Sequence, residues 1–224
     1  MPDGAGDANS LPAAVPLFPL PNVVLFPRAI LPLHIFEERY KQMTADVLRG
    51  HRQVAMALLR RGWEKDYYGR PAVDPVVCVG TIVSHERLAD GRFNFLLEGH
   101  TRARIVREIG TEPYRLAELE PLAEVNTDEG GLLALRSALA GLFRRESYAS
   151  LPAGRQIREL LARGVPTAVA ADIAAFHLLS EHPVDFRQEL LGEADVRTRV
   201  RRIVDAVADL KPAWVNVPGD AKLN

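Results

Sequence analysis

Apolar and polar positions divide the chain into two regimes. From Val15 to Pro121 the apolar residues come in short runs or alternate, which predicts strands. Val15–Pro21 is apolar but broken by prolines, so it reads as an edge strand or an extended arm packed on a sheet. Val23–Phe26 and Ile30–Leu33 are short runs around Pro27. Ile35–Arg49 switches to helical spacing, with Phe36, Tyr40, Met43 and Val47 on one stripe, and Gly50 stops it. Gln53–Leu59 reads as a buried strand, Arg61–Pro75 as a long polar loop, and Val76–Leu88 as a β-branched strand. Asp90-Gly91 predicts a type I′ hairpin turn, followed by strands at Arg92–Glu98, Thr101–Val106 and Tyr114–Pro121.

After about Glu124 the spacing becomes helical and stays so. Five helices are expected. The first is capped by Thr127 and carries Leu132, Leu135, Leu139, Leu142 and Phe143. The next three cover Pro152–Arg163, Thr167–Ser180 and a stretch opened by Pro183. The last runs from about Glu193 to Leu210 with Val196, Val200, Ile203, Val207 and Leu210 inward, and Pro212 stops it. The pattern predicts an α+β protein: a loose tail at 1–12, a β-rich domain over 13–122 with one covering helix, an all-helical bundle over 123–212, and a second tail at 213–224.

Composition narrows the function classes. The 28 Lys+Arg balance 29 Asp+Glu, and the balance holds in both halves, so a module that neutralises many phosphates is disfavoured and nucleic acid is an unlikely partner. Cys78 is the single cysteine and sits mid-strand, which makes it a small buried hydrophobe and excludes an intramolecular disulfide. With no signal-like N-terminus and no long apolar run, the expectation is a soluble cytoplasmic protein without a membrane partner.

Catalytic motifs are missing. None of the four lysines, Lys41, Lys65, Lys211 and Lys222, follows a glycine, so the Gly-Lys-Ser/Thr of a phosphate loop is absent. Their placement also argues against a Ser–Lys dyad. His177 and His182 are five apart, which does not put two ligands on one helix face, so no metal site is expected. No catalytic residue and no cofactor is assigned. An enzyme with an unrecognised site stays open as an alternative.

Two candidate contact sets remain. Trp63, Tyr67 and Tyr68 lie in the long polar loop, where large aromatics form a binding surface or fold back onto the sheet. Phe18 lies in the proline-rich edge. Arg92, Arg102 and Arg104 form an alternative anion or RNA contact on one strand face, against the commoner reading of a solvated sheet face. The basic run Arg197, Arg199, Arg201 and Arg202 reads as the solvated face of the last helix.

The order of motifs resembles the N-terminal domain of Lon protease. The residues that carry the likeness are Pro16-Leu17-Phe18-Pro19-Leu20, Val24-Leu25-Phe26-Pro27 and Leu31-Pro32-Leu33-His34-Ile35-Phe36-Glu37-Glu38-Arg39-Tyr40. They continue with Val79-Gly80-Thr81-Ile82-Val83, Leu97-Glu98-Gly99-His100-Thr101-Arg102 and His182-Pro183-Val184-Asp185-Phe186. The likeness runs over roughly 13–212 and is to the stand-alone Lon substrate-binding domain family. It implies a PUA-like pseudo-barrel followed by a helical bundle, with neither ATPase nor peptidase parts. It also implies a non-catalytic module for unfolded or degron-bearing polypeptide, or for a protease partner. Contact would come through apolar surface on the β-domain, and through the groove where that domain meets the helices. The RNA-binding alternative comes from the PUA-like architecture alone.

Overall fold

The computed structural model describes residues 11–110 and 113–210. The two predicted tails fall mostly outside these residues. The chain divides into two compact units. One comprises residues 1–23 and 30–122, the other 24–29 and 123–224. The apolar run Val24–Phe26 therefore groups with the helices, although it interrupts the β-rich sequence.

In the first unit six strands form one sheet: β1 (Val15–Leu20), β2 (Ile30–Ile35), β3 (Gln53–Leu58), β4 (Val76–Arg87), β5 (Phe93–Ile109) and β6 (Leu116–Pro121). The order is β2-β5-β4-β3-β1-β6, and β6 pairs back onto β5. Five strands thus close a ring, with β2 added to the first half of β5. β1 and β3 are parallel, with Leu17 opposite Ala55, and the other pairs are antiparallel. Closure removes most free edges.

The ring's interior follows the two-residue strand period. Val15 and Leu17 of β1, Ala55 and Ala57 of β3, Val77 and Val79 of β4, Ala103 of β5, and Ala117 and Leu119 of β6 form one buried cluster. A five-stranded ring is narrow, and four alanines among its inward residues fit that bore. Residues Phe93–Ile109 are one strand of 17 residues, where the sequence suggested two. It bends at irregularities opposite Val79/Gly80 and Ile82/Ser84 and at Ile105/Arg107. Gly80 stands at one of them. A Cβ there would lie 2.8 Å from the Glu98 carbonyl oxygen, closer than side chains tolerate.

The β4–β5 hairpin is present, but its turn differs from the expectation. The Gly91 amide donates to the Leu88 carbonyl (3.0 Å), the Leu88 amide donates to the Arg92 carbonyl (2.8 Å), and Gly91 has φ +84°. This is a three-residue loop with a left-handed glycine, and Asp90 is not left-handed as type I′ would require.

Helix α1 (Glu38–Arg49) starts three residues later than the periodicity suggested, because Ile35 is held in β2 opposite Phe93. It buries Tyr40, Met43, Thr44 and Val47, whereas Phe36 precedes it and is exposed.

The second unit holds α2 (Glu129–Leu142), α3 (Glu146–Ala149), α4 (Pro152–Ala162), α5 (Thr167–Leu178), α6 (Val184–Gly192) and α7 (Val196–Asp209). The short α3 is an addition to the five expected helices. Asp128, not Thr127, caps α2, accepting from the Gly131 amide at 2.8 Å. Helix α5 is buried nearly all round. Side chains of α2 serve the ends of its neighbours. Glu129 accepts from the Thr167 amide (2.7 Å) at the start of α5, and Arg136 donates to the carbonyls of Leu161 and Val165 (2.7 Å each) past α4. Each charge has the sign its helix end favours.

Arg199 corrects the reading of α7. It is fully buried and donates to the Glu193 carbonyl (2.7 Å) and to Glu124 Oε1 (2.6 Å), with Asp172 Oδ1 at 3.3 Å.

Candidate functional site

The aromatic loop is built from its base outward. Leu59 bridges to Val73, and the Arg60 amide donates to the Ala72 carbonyl (2.8 Å), which extends the sheet by one step. Gly62 then turns the chain with φ +89° into a single 3-10 turn, Trp63–Asp66. The ring of Tyr67 lies edge-on to Trp63 (5.5 Å) and to Tyr68 (5.1 Å).

The tip is fastened to the start of α1. The Tyr67 hydroxyl donates to Glu37 Oε1 (2.6 Å), and Glu37 Oε2 accepts from Arg39 Nε (3.1 Å). The Arg39 guanidinium lies over the Tyr40 ring at 4.7 Å and near the Tyr67 ring at 5.2 Å, inside cation–π range. Burial and the bond to Glu37 push the Tyr67 hydroxyl above its ordinary value, so it remains a donor. Trp63 and Tyr67 are therefore partly covered, whereas Tyr68 is 88% exposed.

Beside that loop lies a cleft of about 710 Å³. One wall is α1, with Glu38, Arg39, Gln42 and Asp46. Tyr68–Arg70 and the stretch around Tyr114 line the cleft as well, together with Pro19, Tyr40 and Arg115. All these residues belong to the barrel unit. The volume is that of a site for a small ligand or a few side chains.

The charged groups of the cleft are held in place. Arg115, largely buried, donates from Nε to Glu108 Oε2 (2.8 Å), makes a second short contact to Oε1, and reaches the Pro71 carbonyl at 2.8 Å. That bidentate pairing draws the Glu108 carboxyl below its ordinary value. Asp46 accepts from Gln42 (3.0 Å), Arg49 (2.5 Å) and the Tyr114 hydroxyl (2.9 Å). Burial first, then that bond, pushes the Tyr114 hydroxyl up to about 12.

The other sequence candidates are placed differently. Phe18 is 4% exposed, with its ring 4.6 Å from that of Tyr40. It packs against the cleft residue Tyr40 and does not itself offer a contact face. Arg102 is 5% exposed, opposite Cys78 on β4. Arg104 is exposed, and Arg92 is bound at the hairpin to Asp90 (2.6 Å). Twelve positions separate Arg92 from Arg104, a contour of about 40 Å at ~3.3 Å per residue. The three do not form a basic stripe. Among the described residues no His/Cys/Asp/Glu group is arranged to hold a metal, and no helix is long and apolar enough to cross a membrane.

Sequence reasoning does not find Arg39, Tyr40, Asp46, Tyr114 and Arg115 as site residues. They come from stretches about 70 residues apart, and no local spacing links them.

The family described as the ATP-dependent protease La (LON) substrate-binding domain matches residues 14–209. The chain belongs to the Lon substrate-binding domain family. Curated relatives include the Lon protease of Desulfosudis oleivorans, 25% identical over 198 residues, covering 88% of this chain and 24% of the relative. Lon protease 2 of Sorangium cellulosum is 28% identical over 222 residues, covering 92% of this chain and 26% of the relative. The chain thus spans about a quarter of the length of the Lon proteases it matches. Among solved structures, the N-terminal domain of Mycobacterium avium complex Lon protease aligns with TM-score 0.67 at 18% identity, over 88% of this chain and all of that one. The Lon N-terminal domain protein from Xanthomonas campestris aligns with TM-score 0.60 at 23% identity, over 91% of this chain and 99% of that one. The α+β fold expected from the sequence is therefore that of Lon N-terminal domains.

Proposed function

We propose that this Lon-type domain is a non-catalytic polypeptide-recognition module, and that the cleft beside α1 is where a segment of an unfolded or degron-bearing chain docks. The observation that carries the reading is the cleft itself. It pairs one nearly fully exposed aromatic, Tyr68, with a preorganised frame of Arg39, Tyr40, Asp46, Tyr114 and Arg115. Exposed aromatics supply contact area at small entropic cost. Side chains already fixed by hydrogen bonds lose little freedom when a partner arrives. The name of the family and the Lon proteases among the relatives support a polypeptide as partner.

The test is fluorescence anisotropy with a reduced, alkylated, fluorescein-labelled polypeptide that cannot refold. The unmodified protein should bind it saturably, and Tyr68→Ala should weaken binding at least five-fold without changing the unfolding midpoint. Absence of saturable binding refutes the reading.

A further inference from the structure

The first turn of α1 opens onto the cleft without a side-chain cap. Its N-cap is Glu37, whose side chain makes no capping hydrogen bond. The Glu37 carbonyl accepts from the amides of Tyr40 (3.0 Å) and Lys41 (2.9 Å), whereas the amides of Glu38 and Arg39 have no hydrogen-bond partner among the described residues. Such amides carry the positive end of the helix dipole. By itself this is a common feature of helices.

A second observation sits one residue further on. Tyr40 lines the cleft and is 5% exposed, and its ring meets Phe18 edge-on and carries the Arg39 guanidinium over it. Its hydroxyl nevertheless makes no hydrogen bond among the described residues. The Tyr40 hydroxyl is not one of the fully enclosed unpartnered polar atoms, so it opens onto the cleft and is free to donate to a ligand there. Burial first, and then the neighbouring Glu37 and Tyr67, push this hydroxyl well above its ordinary value, so it presents a proton at any physiological pH. The charges of Arg39 and Arg115 act on the same hydroxyl from nearby.

Donors therefore converge on one end of the cleft: a hydroxyl proton, two helix-start amides and two guanidiniums, each fixed by a carboxylate, Arg39 by Glu37 and Arg115 by Glu108. The acidic side chains close by are already engaged, Glu37 with Tyr67 and Arg39, Glu38 with Lys41, Glu108 with Arg115, and Asp46 with Gln42, Arg49 and Tyr114.

We infer that the Tyr40 end of the cleft is a carboxylate subsite, so that the docked segment is read by an acidic group, either an Asp/Glu side chain or a C-terminal carboxylate. The inference rests on the polypeptide-binding reading and deepens it. A planar carboxylate would accept from the Tyr40 hydroxyl and approach the start of α1, with Arg39 and Arg115 supplying charge. Charge-assisted bonds of this kind are roughly twice as strong as neutral ones.

The test uses four fluorescein-labelled peptides of one neutral sequence: a free C-terminus, its C-terminal amide, and amidated versions with a central Asp or Asn. Anisotropy should show the free acid over its amide, or Asp over Asn, by at least ten-fold, and the pair that differs names the source of the carboxylate. Tyr40→Phe should abolish that preference while leaving the unfolding midpoint unchanged, since the hydroxyl bonds nothing among the described residues. Equal binding of acid and neutral peptides overturns the subsite and leaves the polypeptide reading standing. If no peptide binds, an NMR titration with N-acetylglycine and N-acetylglycinamide separates the two claims. Shifts at residues 38–40 and 115 with the acid alone keep the subsite and discard the polypeptide reading. No selective shift discards both.

Discussion

Removing the buried cation of the helical unit tests how that unit is held together. Arg199 has no exposed surface, and its neighbour Asp172 is 3% exposed as a side chain. Arg199→Ala would leave the Asp172 carboxylate without this cation and strip the hydrogen bonds to Glu124 and the Glu193 carbonyl. Breaking a buried pair from one side costs about 3–5 kcal/mol, against a stability of about 5–15 kcal/mol for a whole domain. Loss of the packed aliphatic stem adds to this. Arg201, exposed on the same helix, is the control, with an expected change within about 0.5 kcal/mol. Urea unfolding followed by far-UV circular dichroism at 222 nm reads mainly the helical unit, which holds six of the seven helices among the described residues. Arg199→Met with Asp172→Leu removes both charges while keeping apolar volume, and should cost less than Arg199→Ala. Equal effects of Arg199→Ala and Arg201→Ala would refute the reasoning. So would a double variant less stable than the single.

Other consequences are smaller. Gly80→Ala must push its Cβ against the Glu98 carbonyl and the Leu97 side chain at the β4–β5 irregularity, and should lower stability by about 1–3 kcal/mol in denaturant titration. Tyr67→Phe removes the bond to Glu37, worth about 1 kcal/mol, so amide exchange across 61–70 should rise about five-fold while the barrel strands keep their protection. Unchanged exchange would mean that the loop is held some other way. The Glu108 carboxyl lies below its ordinary value in the folded state, chiefly through Arg115, so its stabilisation is complete above the ordinary carboxyl range. It is lost as pH falls through the lowered folded value. Glu108→Gln should be less stable at neutral pH and lose less on acidification than the unmodified protein.

Much of the fold was legible because periodicity reports burial directly. The two-residue alternation of Val77/Val79 and Val15/Leu17 placed the ring's interior, and the stripe Val196, Val200, Ile203, Val207 placed the inner face of α7. Arg199 was misread although the signal was there. It lies three after Val196 and four before Ile203, on that same inner face. Its charge argued for solvent, and its partners Glu124 and Asp172 stand 75 and 27 positions away. β5 looked like two strands because Gly99-His100 breaks the apolar run, while its ladder continues through an irregularity. The cleft was half legible. The loop aromatics stood out by composition, but ring closure brings Tyr114 and Arg115 beside α1, and that long-range pairing leaves no local pattern. Phe18 and Arg102 were misplaced for the opposite reason, since an exposed residue and one covered by a neighbouring element look alike in a short strand.

The most direct measurement of the central claim is a hydrogen-exchange footprint of the protein with and without saturating unfolded polypeptide. The account predicts protection at the first turn of α1, at 67–70 and at 113–116, with the outer face of α7 unchanged. Protection confined to other surfaces, or none at saturation, would contradict it.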